Sequence, residues 1–211
     1  MIKILVADDH AIVREGLKQI VAEESDMIVA GEASNATELF AFINNKSLDI
    51  IVLDINMPGK SGLEALKEIK IQNPKIPVLI LSMFGEDQYG IRAIKAGASG
   101  YLKKVSAPNE LVTAIRKIVN GGKYINPSLA EKLADIVDKP GSEFPHDNLS
   151  DREYQIMCSI ASGKSAEEIA DELALSIHTV YTYRNRILEK MSLKSNVELT
   201  QYAIQNKLIE I

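Results

Sequence analysis

Residues 49–62 read DIIVLDINMPGKSG. Ile50, Ile51, Val52 and Leu53 form an unbroken apolar run that ends on Asp54, and a Pro/Gly loop follows. A short β-rich run closed by turn residues reads as a strand buried on both faces, as in the middle of a parallel sheet. A carboxylate at the tip of such a strand has two readings. It serves the turn into the next helix, or it is a reactive group held still by a rigid sheet.

The surrounding sequence repeats the pattern. IKILVA (2–7), MIVAGE (27–32), IIVL (50–53), PVLILS (77–82) and GYL (100–102) read as strands. Between them lie stretches such as AIVREGLKQIVAE and LEALKEIKIQN, with apolar residues three and four apart, as on one face of a helix. Five strands alternating with helices predict a doubly wound α/β domain with a parallel sheet covered on both faces. Ligands of such sheets sit beyond the carboxyl ends of the strands, where strand order reverses. This domain is expected over 1–121. Residues 122–147, punctuated by Gly122, Pro127, Pro140, Gly141 and Pro145, read as a linker holding one short helix, LAEKLADIVD. From 148 to 211 only helical patterns remain, and Ser150 with Glu153 forms a capping-box signature that opens the first of four.

Composition narrows the class. The chain of 211 residues is 46% hydrophobic and 25% charged, ordinary values for globular domains. No apolar stretch is long enough for a membrane span, and the N-terminal MIKILVADDH has no signal-peptide pattern. The single cysteine, Cys158, cannot form an internal disulfide and is expected in a helix core, so a cytoplasmic protein is expected. The net charge of −5 argues against general affinity for nucleic acid, but charge is unevenly placed. Residues 150–175 hold 2 basic and 6 acidic side chains, whereas 176–194 hold 4 and 1. A basic stripe on a small helical domain is a better nucleic-acid footprint than the average.

Four strand ends carry chemistry: Asp8 and Asp9, Asp54, Ser82, and Lys104 just past the fifth strand. Parallel strands bring these ends to one edge. Carboxylates crowded there repel one another, which raises at least one pKa unless a cation joins them. Oxygen ligands suit Mg²⁺ or another divalent cation. An ionised Asp is a competent nucleophile toward phosphorus, and phosphoryl transfer asks for little beyond a metal, a cation such as Lys104 and a donor such as Ser82.

LVADDH, VLDINMPGKSG, ILSMF and GASGYLKK together resemble the conserved boxes of a response-regulator receiver domain, of flavodoxin/CheY-like fold, across about 120 residues in the right order. The resemblance implies that Asp54 takes a phosphoryl group from a sensor histidine kinase. It implies a metal site made by Asp8, Asp9, Asp54 and the Asn56 backbone carbonyl. The family lysine stands three residues after the switch aromatic, which makes it Lys104 rather than Lys103. Ser82 and Tyr101 match the pair that reorients on phosphorylation. An enzyme of the haloacid-dehalogenase type also uses an Asp nucleophile with Mg²⁺, but generally needs an acid two residues on. That position is Asn56, which cannot do acid–base work. No turnover beyond slow self-dephosphorylation is expected.

In the C-terminal segment, a short helix, a tight turn and a longer basic helix match a helix-turn-helix. At about 100° per residue, Val180, Tyr183, Ile187 and Met191 share one face of the third helix, and Tyr181, Thr182, Asn185 and Arg186 the other. LSDRE, GKSAEEIADEL, SIHTVYTYRNRILEKM and SNVEL resemble the LuxR-type domain, which with a receiver gives the NarL/FixJ class of response regulators. That resemblance puts Tyr181, Thr182 and Asn185 at base-reading positions. Lys164, Ser165, Thr179, Arg184, Arg186 and Lys190 become backbone contacts on double-stranded DNA. Glu167 and Tyr181 depart from the basic residues common there, so a monomer is expected to bind weakly, and a homodimer formed on phosphorylation to bind well. The competing reading keeps the receiver and makes the helical domain a protein-interaction output.

Overall fold

The computed structural model describes residues 1–45, 47–138 and 144–209. They divide into two compact units, Met1–Leu133 and Ala134–Ile211. The first unit runs β1 (Ile2–Ala7), α1 (Ala11–Ala22), β2 (Met27–Ala33), α2 (Ala36–Ile43), β3 (Ile50–Asp54), α3 (Gly62–Gln72), β4 (Val78–Ser82), α4 (Glu86–Lys95), β5 (Gly100–Lys103) and α5 (Ala107–Val119). It ends within α6 (Pro127–Asp138). The five strands are all parallel, in the order β2-β1-β3-β4-β5. Strand order reverses between β1 and β3, so the ends of those two strands flank the crevice where such sheets bind ligands.

The stretch DIIVLD lies at the centre of this sheet. β3 pairs with β1 on one side and β4 on the other, and each of its residues is buried. No polar side chain could occupy either face of that strand without a partner, which explains the unbroken apolar run. Asp54 is the last residue of β3 itself, paired in register with Leu81, rather than the first residue beyond it. The core between the sheet and α1/α5 gathers Ile4, Val6, Leu17, Ile50, Val52, Leu79, Leu111 and Ile115. Ser61 and Glu64 complete a capping box that starts α3 just after the Pro/Gly loop.

Residues 122–138 of the stretch expected as a linker are more ordered than their Gly and Pro content suggested, while Pro140 and Gly141 lie outside the described residues. α6 has twelve residues, a full three turns, and the chain before it joins the sheet edge. Tyr124 forms a parallel bridge to Gly100 of β5, and Leu129 is fully buried. An edge strand leaves backbone groups unpaired, and Tyr124 satisfies them.

The second unit holds α7 (Asp151–Ala161), α8 (Ala166–Leu173), α9 (Ile177–Lys190) and α10 (Asn196–Gln205). Ser150–Glu153 and Ser165–Glu168 capping boxes start α7 and α8. Ala174, in a left-handed conformation with φ of 51°, ends α8 and turns the chain into α9. Leu149, Tyr154, Met157, Ile169, Leu173, Val180, Ile187 and Leu199 are buried, and so is Cys158, placed in the core as expected. On α10, Leu199 and Ala203 finish this core while Val197 and Ile204 are exposed. No described helix is long and apolar enough to cross a membrane.

Candidate functional site

At the carboxyl edge of the sheet the strand-end residues converge. Asp8, Asp9, His10 and Asp54 each offer a ligand atom within 4.8 Å of the others. Lys104, which opens a short 3₁₀ turn after β5, places its Nζ 2.7 Å from Asp8 Oδ2 and 2.8 Å from Asp54 Oδ2. Asp54 is 2% exposed and the Lys104 side chain 8%. This single ammonium bridges two buried carboxylates that would otherwise face each other.

The electrostatics follow from burial. Loss of solvent pushes the Asp54 carboxyl up to about 6; Lys104 opposes this, the Asp8 charge adds to it, and the Asn56 backbone N–H, bonded to the carboxylate, resists it. Burial works against the Lys104 ammonium, but Asp54 and Asp8 outweigh it and hold its pKa above the ordinary lysine value. At neutral pH Asp54 is therefore an ionised, poorly solvated carboxylate, as a nucleophile requires. Three carboxylates against one ammonium leave an excess of about two negative charges, and three of the four close donors are hard oxygens, with the His10 ring nitrogen beside them. That set fits a hard divalent cation such as Mg²⁺.

Ser82 ends β4, and its Oγ accepts from the Phe84 N–H at 3.2 Å. Tyr101 is 1% exposed and donates its hydroxyl to the Phe84 carbonyl at 3.0 Å. Burial raises its pKa, and a hydrogen bond with Ser82 works the other way. Ser82, Tyr101 and the loop between β4 and α4 thus form one connected network.

Three residues of this site gave no clear signal in the sequence. Arg14 of α1 donates from Nη1 to the Asp8 carbonyl at 2.7 Å and the Asp9 carbonyl at 3.3 Å, fixing the backbone that carries the acidic pair. Its Nε is paired with Glu32 on β2. The His10 N–H donates to Asp8 Oδ1 at 2.9 Å, and its ring Nδ1 lies 2.7 Å from Asp9 Oδ1. Gly62 allows α3 to start against the end of β3: a Cβ there would collide with the Asp54 carbonyl. Only the second glycine of PGKSG stands where that approach occurs.

In the second unit, α9 divides as its periodicity required. Val180, Ile187 and Met191 are buried and Tyr183 partly so, whereas Tyr181, Asn185 and Arg186 are exposed. Several of the residues expected to contact DNA, the base-reading Thr182 among them, already have work. Ser165 caps α8, Thr179 Oγ1 shares a hydrogen bond with Ser176 at 2.7 Å, and Thr182 Oγ1 donates to the His178 carbonyl. Arg184 Nε donates to Asn196 Oδ1 at 2.6 Å, and Lys164 pairs with Glu172. Lys190 donates to Glu153 Oε2 at 2.7 Å, so it is a tie between α9 and the capping box of α7. Buried Arg152 donates to the Leu173 carbonyl at 2.8 Å, closing the C-terminus of α8. Tyr181, Asn185 and Arg186 form the outward row on α9, with Asn185 Oδ1 accepting from Arg184 Nη1 at 3.2 Å.

Comparison with known proteins agrees with this division. Residues 4–116 match the response regulator receiver domain, and residues 147–203 match the bacterial regulatory proteins of the luxR family. The response regulator GacA of Pseudomonas protegens is 38% identical over 210 residues, covering 100% of this chain and 99% of that one. The response regulator UvrY of Escherichia coli K12 is 36% identical over 209 residues, 99% of this chain and 96% of its own. Among solved structures, RcsB of Salmonella typhimurium shares the fold with a TM-score of 0.70 at 22% identity, covering 97% of this chain and 98% of that chain.

Proposed function

The chain belongs to the response regulators, as a receiver domain joined to a LuxR-type DNA-binding domain that serves transcription regulation, and from this we propose that Asp54 is its phosphoacceptor. The observation that carries the proposal is the buried triangle of Asp8, Asp54 and Lys104 at the switch point of the sheet. The donor is a phosphohistidine of a sensor histidine kinase. An Asp54 oxygen forms the new bond to phosphorus as the P–N bond breaks, and the departing imidazole nitrogen keeps that electron pair and takes up a proton. Asp8, Asp9, Asp54 and the Asn56 carbonyl would hold Mg²⁺, which supplies charge neutralisation for the phosphoryl oxygens. Lys104 leaves its carboxylate partners to meet a phosphoryl oxygen, and the Ser82 hydroxyl donates to another.

The reaction stops at the acyl phosphate, which is lost only by slow hydrolysis to inorganic phosphate and free Asp54. Asn56 stands where a hydrolase would need an acid, so no side chain there activates water. The protein is a switch rather than a turnover enzyme, and works in the cytoplasm. Residues 1–121 act as the receiver, 122–147 as the connection and 148–211 as the DNA-binding domain. Phosphorylation favours a homodimer that places two α9 helices on two half-sites of double-stranded DNA. Tyr181, Thr182 and Asn185 read base edges, Arg186 and Arg184 hold phosphates, and Lys164, Ser165, Thr179 and Lys190 flank them. Arg184 and Lys190 exchange a protein partner for phosphate on binding.

The test is incubation of the full chain with acetyl phosphate and Mg²⁺, read by intact mass. Wild type gains one acid-stable, base-labile phosphoryl adduct, and Asp54→Asn gains none. An adduct that survives in Asp54→Asn overturns the assignment.

A further inference from the structure

The start of α6 is fastened to the first unit at three points. Tyr124 continues the sheet edge: its N–H donates to the Ser99 carbonyl and its carbonyl accepts from the Tyr101 N–H, both at 3.0 Å. Its hydroxyl donates to Glu110 at 2.6 Å. Leu129 is buried against Gly90 of α4, where a Cβ would stand 2.9 Å from the leucine methyl and push it aside. Between them, one side chain makes two bonds. Asn126 Oδ1 accepts from the Leu129 N–H at 2.7 Å, capping α6, while its Nδ2 donates to Glu86 Oε2 at 2.7 Å.

Glu86 is the first residue of α4, directly after the Ser82–Gly85 loop. That loop carries the Phe84 N–H bonded to Ser82 and the Phe84 carbonyl bonded to Tyr101. A continuous series of contacts therefore runs from the phosphoryl-binding serine through the loop to Glu86, Asn126 and the first turn of α6.

Resting on the phosphoacceptor reading, we propose that Asn126 is a releasable latch: it fastens α6 to α4 in the unphosphorylated chain, and phosphorylation of Asp54 undoes it. Drawing the Ser82 hydroxyl onto a phosphoryl oxygen takes the acceptor from the Phe84 N–H. The loop then shifts and carries Glu86 away from Asn126. With the clip gone, Leu129 leaves the Gly90 recess and Tyr124 leaves the edge of β5. The helix that leads into the DNA-binding domain is thereby loosened by the state of the acidic site.

Amide exchange of the full chain, read by mass spectrometry over residues 99–102 and 124–133, tests this with beryllofluoride and Mg²⁺ as the phosphoryl mimic. Wild type should exchange about tenfold faster in both segments when the mimic is added, the equivalent of about one net hydrogen bond. Asn126→Asp keeps the capping oxygen but sets a carboxylate against Glu86. It should exchange fast without the mimic and change little with it. Adding Glu86→Gln to Asn126→Asp restores a donor–acceptor pair and should restore both the protection and its response. Acetyl-phosphate labelling is measured alongside in every variant. Normal labelling with unchanged exchange in wild type, or protection in Asn126→Asp equal to wild type, overturns the latch. No labelling of wild type overturns the phosphoacceptor reading, and the latch with it.

Discussion

Replacing Asp54 with asparagine should stabilise the receiver at neutral pH in the absence of divalent metal. Its carboxyl is raised from the ordinary 3.8 to about 6 by burial, with the Asp8 charge adding and Lys104 opposing. A carboxyl with a raised pKa binds its proton more tightly in the folded than in the unfolded chain, so ionisation works against folding. This penalty is absent below about pH 4, grows between about 4 and 6, and is complete above that window. At about 1.4 kcal/mol per pKa unit it reaches about 3 kcal/mol at pH 7.5. The carboxamide that replaces it has nearly the same shape and no charge to desolvate, so Asp54→Asn should recover most of that figure. With a urea slope of about 1–3 kcal/mol per molar, the midpoint should rise by roughly 1–3 M. Pulsed amide exchange in urea, read on β3 and β4 peptides, follows this unit separately from the helical one. The gain should vanish at pH 4. Saturating Mg²⁺ should narrow it by stabilising wild type through mass action. An equal or lower midpoint for the variant at pH 7.5, or a difference that ignores pH, would refute the reasoning.

Lys104→Gln removes the cation shared by Asp8 and Asp54, so the Asp54 carboxyl should titrate above about 6, visible by carboxyl-carbon NMR; an unchanged or lower titration contradicts the bridging role. Gly62→Ala drives a methyl into the Asp54 carbonyl, and should cost about 2–4 kcal/mol of receiver stability while slowing acetyl-phosphate labelling. Normal labelling and stability would show that α3 can shift freely. Arg186→Ala should lower the slope of log affinity against log salt on a mixed-sequence duplex by about 1. A slope equal to that of wild type removes Arg186 from the interface. Lys190→Ala leaves the buried Glu153 carboxylate without its ammonium, and should destabilise the helical unit by about 1–2 kcal/mol, discounted because the lysine is partly exposed. Unaltered urea unfolding of α7 and α9 peptides would count against that tie.

Much of the site was legible because chemistry and backbone pattern coincide in it. Asp8, Asp9, Asp54 and Ser82 lie at or just beyond the carboxyl ends of β-rich runs, and a parallel sheet places all such ends on one edge. The periodicity of α9 likewise separated Val180 and Ile187 from Tyr181 and Asn185. The connection was less legible. Its glycines and prolines signal a break in regular structure, but not that Tyr124 would pair with an edge strand or Leu129 fill a recess at Gly90.

Sequence alone thus determined the strand alternation, the strand-end placement of Asp8, Asp9 and Asp54, the helical C-terminal domain and the outward face of its basic helix. These follow from local periodicity and from the rule that parallel strands share a direction. Tertiary structure decided which carboxylates share Lys104, that Arg14 grips the carbonyls behind the acidic pair, and that Lys190 serves Glu153. It also decided that Asn126 joins two helix starts forty residues apart in the chain. Such pairings depend on distances between elements remote in sequence, and no local pattern encodes those distances.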